Sequence, residues 1–381
     1  MKGNRLSRRD LLYKGGCALG SLLAGNLLLD SCKDGSLFSL SGDSAFVKPA
    51  RHWRSAGDGK VQCLLCPNRC LLNRGEKGAC RDRQNRDGRL YTLVYSRIAA
   101  LQIDPVEKKP FFHFLPGSSA LSAGVAGCNF YCKFCQNWQL SQFSPEDLDA
   151  EAVSPSDLAS RAVKRGTPIV AFTYNEPTVQ FEYVVDAAAK ARARGLKSVI
   201  ISNGYISAKP GREFARALDG IKIDLKAFRQ KFYSDICGGS LKEVMRNLEL
   251  VRGSGRWLEI VVLIIPGLND SPSEIREMTR WVAGTLSPDV PMHFTRFHST
   301  YLMRNLPPTP VSTLERCREI ARSQGVRYAY VGNVPGHRWE NTYCHSCGRV
   351  IIKRGGFYSV QNLLRKGRCP YCRTVIPGVW V

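Results

Sequence analysis

The strongest constraint on the fold is a regular alternation of short apolar runs and amphipathic stretches from Leu121 onward. Apolar runs of strand length that alternate with helical patterns are typical of βαβ units around a parallel sheet. The pattern predicts strands at Leu121–Gly127, Pro168–Thr173, Lys197–Ser202, Gly220–Leu225, Trp257–Ile265 and Pro291–Phe297, with Arg327–Val331 as a further candidate. Helices are predicted between them, including Pro155–Arg165, Val179–Arg194 and Leu241–Val251. Six such units predict an α/β fold, a partial TIM-like (β/α)6 barrel whose functional residues follow the strands.

The chain has 15 cysteines, and their spacing points to metal binding rather than to disulfides. A disulfide scaffold is expected in short secreted chains, and this chain has 381 residues. Eleven of the cysteines form three sets, and the other four (Cys17, Cys32, Cys237 and Cys317) stand apart. Cys237 and Cys317 are predicted to be buried core residues. The three sets are Cys63, Cys66, Cys70 and Cys80; Cys128, Cys132 and Cys135; and Cys344, Cys347, Cys369 and Cys372.

The middle set follows the first predicted strand as a C-x3-C-x2-C loop, Cys128 to Cys135. Three thiolates can bind three irons of a [4Fe-4S] cluster and leave the fourth iron open to another ligand. A zinc knuckle that lacks one ligand, or three core thiols, would be the alternatives. The position of the loop directly after a strand of an α/β pattern argues against both.

Polar residues also follow the later strands. Because the carboxyl ends of parallel strands meet at one edge of the sheet, these residues are expected to surround one ligand that lies across the barrel. The strand ends concerned are Thr173-Tyr174-Asn175-Glu176-Pro177, Ser202-Asn203-Gly204, Asp224-Leu225-Lys226, Pro266-Gly267 and Arg296-Phe297-His298. Alternate strand residues face opposite sides, so His293 and His298 cannot both face inward, and His298 is predicted to be the ligand contact.

The three-cysteine loop, with Phe134 before its last cysteine, resembles the signature of the radical S-adenosylmethionine (SAM) superfamily. The segments Asp104-Pro105-Val106-Glu107-Lys108-Lys109-Pro110, His113-Phe114-Leu115-Pro116-Gly117 and Tyr174-Asn175-Glu176-Pro177 resemble the AmmeMemoRadiSam-system enzymes, relatives of pyruvate formate-lyase activating enzyme. This resemblance covers about residues 51 to 381.

The resemblance implies that SAM chelates the open iron through its amino and carboxylate groups. An electron from the cluster then cleaves SAM to a 5'-deoxyadenosyl radical. Glu176 would neutralise the methionyl amine of SAM, and Asn203 would lie near the ribose. The other residues implied in cofactor binding are Phe134, Asn175, Asp224, Lys226 and His298.

Two further cysteine sets predict additional metals. The pairs Cys344-x2-Cys347 and Cys369-x2-Cys372 lie 21 residues apart, a zinc-ribbon pattern, with a second iron–sulfur cluster as the alternative. The set Cys63-x2-Cys66-x3-Cys70-x9-Cys80 fits a structural zinc or an electron-relaying [4Fe-4S] cluster. The sequence argument slightly favours zinc there.

The amino terminus resembles a twin-arginine export signal, because Ser7-Arg8-Arg9-Asp10-Leu11-Leu12 precedes an apolar run from Ala18 to Leu29. Export to the periplasm or to a membrane anchor, with Cys32 as a lipidation candidate, is therefore favoured over a cytoplasmic location. Past this leader no segment is apolar enough to span a bilayer. The predicted domains are 1–32 (leader), 33–50 (linker), 51–120 (Cys-rich), 121–338 (barrel) and 339–381 (zinc ribbon).

The leading functional hypothesis is an enzyme that generates a 5'-deoxyadenosyl radical and abstracts hydrogen from an unidentified substrate, small or protein, using a low-potential electron donor. An activase that installs a glycyl radical on a partner protein is the narrower alternative. The net charge of +23 also suits a polyanion, so a non-catalytic iron–sulfur carrier or a zinc-ribbon nucleic-acid binder is the hypothesis of another class. The polar strand ends argue against it, because a carrier would not need them.

Overall fold

The centre of the protein, described here by a computed structural model of residues 43–381, is an eight-stranded sheet. Its strands follow one another in chain order across the sheet. The first strand pairs antiparallel with the second, and all later neighbours are parallel. The strands are β1 (Ala100–Pro105), β2 (Ser119–Gly124), β3 (Ile169–Phe172), β4 (Lys197–Ser202), β5 (Gly220–Asp224), β6 (Trp257–Ile264), β7 (Met292–Arg296) and β8 (Ala329–Gly332).

Helices connect the parallel strands, as continuous apolar strands in an α/β protein require. Serine and proline define two of the helix starts: Ser154 caps the first helix in a capping box with Asp157, and Ser271 accepts a hydrogen bond from the Glu274 N–H. The helices are α1 (Pro155–Lys164), α2 (Phe181–Arg192), α3 (Ala208–Ala217), α4 (Leu241–Gly253), α5 (Pro272–Trp281) and α6 (Val311–Ser323). Shorter helical segments lie at Asp43–Phe46, Val106–Lys108, Trp138–Ser141, Pro145–Asp147, Pro177–Gln180, Gln230–Phe232, Tyr233–Cys237, Val282–Leu286 and Arg338–Glu340.

The sheet is open, but it is rolled into a partial barrel. Strands β1 and β8 do not pair with each other, yet the segment after β1 contacts β8 where His113 Nε2 lies 2.6 Å from the Tyr330 hydroxyl. The same segment binds a buried carboxylate near the amino end of β6, because the backbone N–H groups of Phe112 and His113 donate to Glu259. His293 Nε2 lies 2.7 Å from Glu259 Oε2. This network closes the end of the barrel opposite the strand carboxyl termini.

Small antiparallel sheets flank the barrel at both ends of the described chain. The amino-terminal cysteine segment contains two of them, and the carboxy-terminal cysteine segment forms a third. A two-stranded pair joins the barrel loops. Their strands are Lys48–Pro49, Arg83–Arg86 and Arg89–Thr92; Trp53–Ser55, Val61–Cys63 and Leu71–Leu72; Thr342–Tyr343, Val350–Arg354 and Val360–Asn362; and Arg97–Ile98 with Glu151–Ala152.

The predicted α/β fold with a parallel sheet is confirmed, and all seven predicted barrel strands are present. The predicted boundary between a Cys-rich segment and the barrel at residue 121 is too late, because β1 already belongs to the barrel sheet. This edge strand exposes Gln102 and Ile103, so it lacks the continuous apolar run by which the other strands were predicted. The predicted linker, residues 33–50, also extends too far, since Lys48–Pro49 already pairs with the strand Arg89–Thr92.

The predicted leader lies outside the described residues, as does Cys32. Within residues 43–381, no helix has the length and apolar character that crossing a membrane would require.

Candidate active site

The carboxyl ends of the parallel strands surround a cavity of about 480 Å³. This volume is in the range of pockets that enclose small-molecule ligands. Residues from the turns after β2, β3, β4 and β5 contribute to its wall, together with Thr295 from β7. Nine of the ten residues predicted to bind the cluster or the cofactor line this cavity: Cys128, Cys132, Phe134, Cys135, Asn175, Glu176, Asn203, Asp224 and Lys226. Pro266 and Gly267, after β6, do not line it.

His298 is the exception. It is exposed, and it is not among the residues that line the cavity. The alternation of side chains along β7 places His293 and Thr295 on the barrel interior, but it does not extend to His298, which lies beyond the end of this strand. His293, and not His298, thus faces the barrel interior, at its closed end, and a contact of His298 with the cofactor stays a prediction.

The loop that carries the three cysteines is held in place by the Asn175 side chain. Its Oδ1 accepts a hydrogen bond from Val125 N (3.2 Å), and its Nδ2 donates to the carbonyls of Ala126 (3.0 Å) and Gly127 (2.9 Å). The residue before it, Tyr174, has a positive φ of 74°, a strained conformation for a residue with a Cβ. Asn175 thus fixes the backbone that leads directly into Cys128.

The carboxylate of Glu176 has protein partners on both oxygens. Oε1 accepts hydrogen bonds from Thr178 N (2.9 Å), the Thr178 hydroxyl (2.7 Å) and the Ser202 hydroxyl (2.8 Å), whereas Oε2 accepts from Asn203 N (2.7 Å). Glu176 caps the helical turn Pro177–Gln180 in this way. Burial raises the pKa of this carboxyl above its ordinary value, although the hydrogen bonds oppose that shift. Glu176 therefore combines a structural capping role with a place in the cavity wall.

The three thiols differ in their surroundings. Burial raises the pKa of Cys128 and of Cys135. A hydrogen bond from the Cys237 thiol lowers the pKa of Cys132 in spite of its burial, and Lys226 acts in the same direction. Cys237 is fully buried, as predicted, but its contact with Cys132 was not foreseen. The backbone carbonyl of Cys237 also accepts a hydrogen bond from Tyr131 N at 2.9 Å, so this turn supports the cysteine loop.

A buried cluster of charged residues forms another part of the cavity wall, where Lys226 Nζ lies 5.5 Å from the centre of the Phe134 ring. Asp224 accepts hydrogen bonds from Lys226 Nζ at 3.2 Å and from Lys222 Nζ. Burial alone would raise the pKa of Asp224, but the two ammonium groups lower it below its ordinary value. Burial lowers the pKa of Lys222, whereas Asp224 raises that of Lys226 well above its usual range. Lys222 was missed by the sequence argument, although it lies two residues before Asp224 and so shares its face of the strand.

A second cluster of charged residues lines the cavity next to β1. The carboxylate of Asp104 accepts hydrogen bonds from Lys108 Nζ (2.8 Å), Lys109 Nζ and the Tyr174 hydroxyl (2.6 Å). Lys109 Nζ also lies 4.5 Å from the centre of the Tyr174 ring. Lys108, Lys109 and Tyr174 line the cavity, and the motif that contains both lysines was noted in the sequence without a role for either.

The carboxy-terminal cysteines form a site of a different kind. The sulfur atoms of Cys344, Cys347, Cys369 and Cys372 all lie within 4.8 Å of one another, close enough for one metal ion. Cys344 and Cys369 are buried in an apolar cluster with Phe112 and Tyr330, far from the cavity lining. The two predicted pairs therefore meet, as a closed four-thiolate zinc site would require.

Comparisons with known proteins agree with this geometry. Residues 124–282 match the family model of the radical SAM superfamily. An uncharacterized protein of Methanocaldococcus jannaschii is 38% identical over 328 residues, which cover 86% of this chain and 98% of that protein. GTP 3',8-cyclase of Haemophilus influenzae is 24% identical over 161 residues, 41% of this chain and 47% of the enzyme. A solved domain of pyruvate-formate lyase-activating enzyme from Bacteroides vulgatus is 17% identical, with a TM-score of 0.39, over 43% of this chain and 98% of that domain.

Proposed function

Because the chain belongs to the radical SAM superfamily, we propose that it cleaves SAM reductively and uses the resulting 5'-deoxyadenosyl radical to abstract hydrogen from a substrate. Cys128, Cys132 and Cys135 would hold the [4Fe-4S] cluster, which supplies the electron when bound. The observation that carries the proposal is that these three cysteines and the polar strand ends line one cavity.

The residues present fit the two groups that this chemistry needs. Three cysteine thiols from one loop line the cavity, whereas Cys237, which contacts Cys132, is buried and does not line it. The cavity side of the three thiols is thus left to a ligand other than thiolate. SAM carries a carboxylate, and a cavity wall with Lys109, Lys222 and Lys226 offers cations to receive one. Glu176 and Asp224 offer carboxylate oxygens to its amine and hydroxyl groups.

Several residues position the loop rather than contact the reacting atoms. Asn175 holds the backbone before Cys128, and Asn203 Nδ2 donates to Asn129 Oδ1 at 2.8 Å just after it. The turn that contains Cys237 supports the loop from the other side. Such fixed support is what a site needs to hold a cofactor in a defined orientation.

Within the superfamily, we propose that the chain is an AmmeMemoRadiSam-system enzyme. The segment from Asp104 to Lys109 that suggested this group contributes Lys108 and Lys109 to the cavity wall, and Asp104 fixes the orientation of both. Export through the twin-arginine route remains a prediction, which fractionation of cells that express the full chain would check.

The proposed reaction can be tested by product analysis. The anaerobically reconstituted full chain, incubated with SAM and a low-potential reductant, should yield 5'-deoxyadenosine and methionine in equal amounts. Deuterated candidate substrates should transfer deuterium into 5'-deoxyadenosine, which would identify the substrate. Absence of 5'-deoxyadenosine from a protein with a full complement of iron would contradict the proposal.

A further inference from the structure

The cysteines near the amino terminus, which are Cys63, Cys66, Cys70 and Cys80, surround one space without converging on a point. Cys63 N donates a hydrogen bond to Cys70 O at 2.9 Å, and the Cys70 sulfur accepts one at 3.5 Å from the N–H of Ala79, the residue before Cys80. A Cβ built on Gly78 would lie 3.7 Å from the sulfur atoms of both Cys70 and Cys80, so these two sulfurs are within twice that distance of each other. Among residues 43–381, however, only the carboxy-terminal set brings three or more thiols within 4.8 Å of one another.

Sulfur spacing distinguishes one metal ion from a cluster. A zinc ion binds four thiolates at about 2.3 Å in a tetrahedron, which places the sulfur atoms about 3.8 Å apart. In a four-iron cluster each thiolate binds a different iron, so the sulfur atoms are held farther apart. The carboxy-terminal set has the first kind of spacing.

The two other sets share the wider spacing. The loop of Cys128, Cys132 and Cys135 does not form a tight group within the described chain, as expected for the cluster that the superfamily implies. The amino-terminal set does not form one either, although its four cysteines are neighbours and each is a free thiol. Within this structure the carboxy-terminal set has the spacing expected for a single ion, and the loop of Cys128, Cys132 and Cys135 has the wider spacing expected for a cluster. The amino-terminal set resembles the loop in this respect.

We propose that Cys63, Cys66, Cys70 and Cys80 hold a second iron–sulfur cluster of the [4Fe-4S] type. Four thiolates occupy all four irons, so this cluster offers no open iron for SAM and suits the transfer of single electrons. It takes one electron from a low-potential donor and passes one electron on, without making or breaking a bond. The identity of the metal does not depend on the proposed function, but a role in supplying electrons to the cavity does.

The second site lies directly against the cysteine loop of the cavity. Asn129, which follows Cys128, accepts a hydrogen bond from Asn68 Nδ2 on its carbonyl at 3.1 Å, and its side chain hydrogen-bonds to the thiol of Cys66. On the other side of Cys128, a Cβ on Gly127 would lie 2.0 Å from Asp82 Oδ2, so the chain just after Cys80 packs against the start of the loop. Only glycine fits there, and its φ of 80° is also one that glycine favours.

Metal analysis of variants tests the second cluster. The full chain and its variants would be reconstituted anaerobically, and iron, sulfide and zinc would be measured per chain. The Cys128→Ala/Cys132→Ala/Cys135→Ala variant leaves the amino-terminal set intact, and Cys66→Ala/Cys70→Ala removes half of that set. Cys317→Ala is the control, because Cys317 is a buried free thiol that belongs to none of the three sets.

We expect about eight irons in the wild type and in the control, and about four in each of the other variants. Electron paramagnetic resonance of the reduced wild type and of the control should show two interacting spins, whereas each of the two variants that lack a cysteine set should show one isolated spin. If the triple variant contains no iron, with or without additional zinc, the proposal is overturned. A misfolded Cys66→Ala/Cys70→Ala protein would leave the triple variant to decide. Failure of the proposed function would appear separately, as absent 5'-deoxyadenosine in a wild type that contains eight irons.

Discussion

The cavity loop and the carboxy-terminal ribbon use the same ligand type for opposite purposes. In the loop, Cys128, Cys132 and Cys135 are spread along the edge of a cavity that Lys226 and Glu176 also line. In the ribbon, four thiols meet within 4.8 Å of one another and face an apolar cluster. An open, spread set leaves room for a reacting ligand, whereas a closed, tight set can only hold structure together.

The carboxy-terminal segment, residues 339–381, hydrogen-bonds to the segment that closes the barrel. Leu115 N donates to Val379 O and Val379 N donates to His113 O, each at 2.7 Å, so the end of the chain pairs with the segment that closes the barrel. Arg354, which is buried, donates from Nη2 to Phe112 O at 2.7 Å. The carboxy-terminal segment therefore packs on the segment that closes the barrel, and its Phe357 also lines the cavity.

The largest effect is expected from loss of the structural zinc that we predict at Cys344, Cys347, Cys369 and Cys372. Cys344→Ser/Cys369→Ser should unfold the ribbon, because a structural zinc contributes about 10–16 kcal/mol in small domains, comparable to or above the whole stability of about 5–15 kcal/mol of a typical protein. Zinc content and circular dichroism would measure this, with Cys317→Ser as the control. A well-folded variant that has lost only SAM cleavage would indicate a redox role for this set. It would contradict the contrast between a reactive cavity loop and a structural carboxy-terminal set.

A smaller but still large effect is expected at Arg354. Arg354→Ala leaves the fully buried Glu107 without the guanidinium that lies 3.7 Å from it. Removal of one partner of a buried ion pair typically costs about 3–5 kcal/mol. Lys353→Ala, at the exposed neighbour on the same strand, should change the free energy of unfolding by less than about 0.5 kcal/mol. If denaturant titrations showed the same change in the free energy of unfolding for both substitutions, the ion pair of Arg354 with Glu107 would not stabilise the fold.

The closed end of the barrel should also make stability depend on pH. Burial lowers the pKa of His113 to about 4 from the ordinary value of 6.5. As the pH falls below 6.5 the unfolded chain gains a proton that folded His113 refuses, so stability is lost until the pH reaches about 4. The total for this residue is about 3 kcal/mol.

Anaerobic urea titrations between pH 7 and pH 5 would measure that slope. His113→Gln should show a shallower decrease than the wild type, while the contributions of His52 and His293, whose pKa values burial also lowers, remain in both proteins. Parallel pH profiles would show that His113 is not the group responsible.

The smallest of these effects is expected at Glu176. Glu176→Gln removes the negative charge that we expect to meet the SAM amine, and a charge-assisted hydrogen bond is worth about 1.5–3 kcal/mol. SAM affinity should fall by roughly 10-fold to 150-fold. The substitution also places an amide N–H2 among N–H donors, so the melting temperature should fall as well.

Thr178→Val separates these two roles, since it removes a hydroxyl that bonds to Glu176 without changing the charge. Both variants should melt at lower temperature, but only Glu176→Gln should bind SAM more weakly in calorimetric titrations. An unchanged SAM affinity in Glu176→Gln would reduce Glu176 to a helix cap.

The barrel could be predicted from the sequence because most of its strands are buried on both faces. Every residue of β3 is buried, and such apolar runs stand out against the helices between them. The edge strand β1 was missed for the opposite reason, since Gln102 and Ile103 are exposed on opposite faces and only Asp104 is buried. Alternation along a strand predicts which residues share a face, so Lys222 could have been predicted from Asp224. It does not extend to His298, which lies beyond the end of β7.

The candidate metal sites also differ in how much of each could be predicted from the sequence. Spacing along the chain predicts that Cys344, Cys347, Cys369 and Cys372 belong together, and the structure brings them together. Spacing could not decide between zinc and iron at Cys63, Cys66, Cys70 and Cys80, because both need four thiolates from two turns. The distances between the sulfur atoms carry that information, and they depend on how the loops pack around Asn129 and Gly127.

Removal of the three cavity cysteines tests the central claim most directly. In Cys128→Ala/Cys132→Ala/Cys135→Ala, reconstituted and reduced in parallel with the wild type, we predict that 5'-deoxyadenosine formation from SAM is abolished while zinc content and the melting temperature remain close to those of the wild type. Formation of 5'-deoxyadenosine by this variant at the rate of the wild type would contradict the assignment of the cavity loop as the site of SAM cleavage.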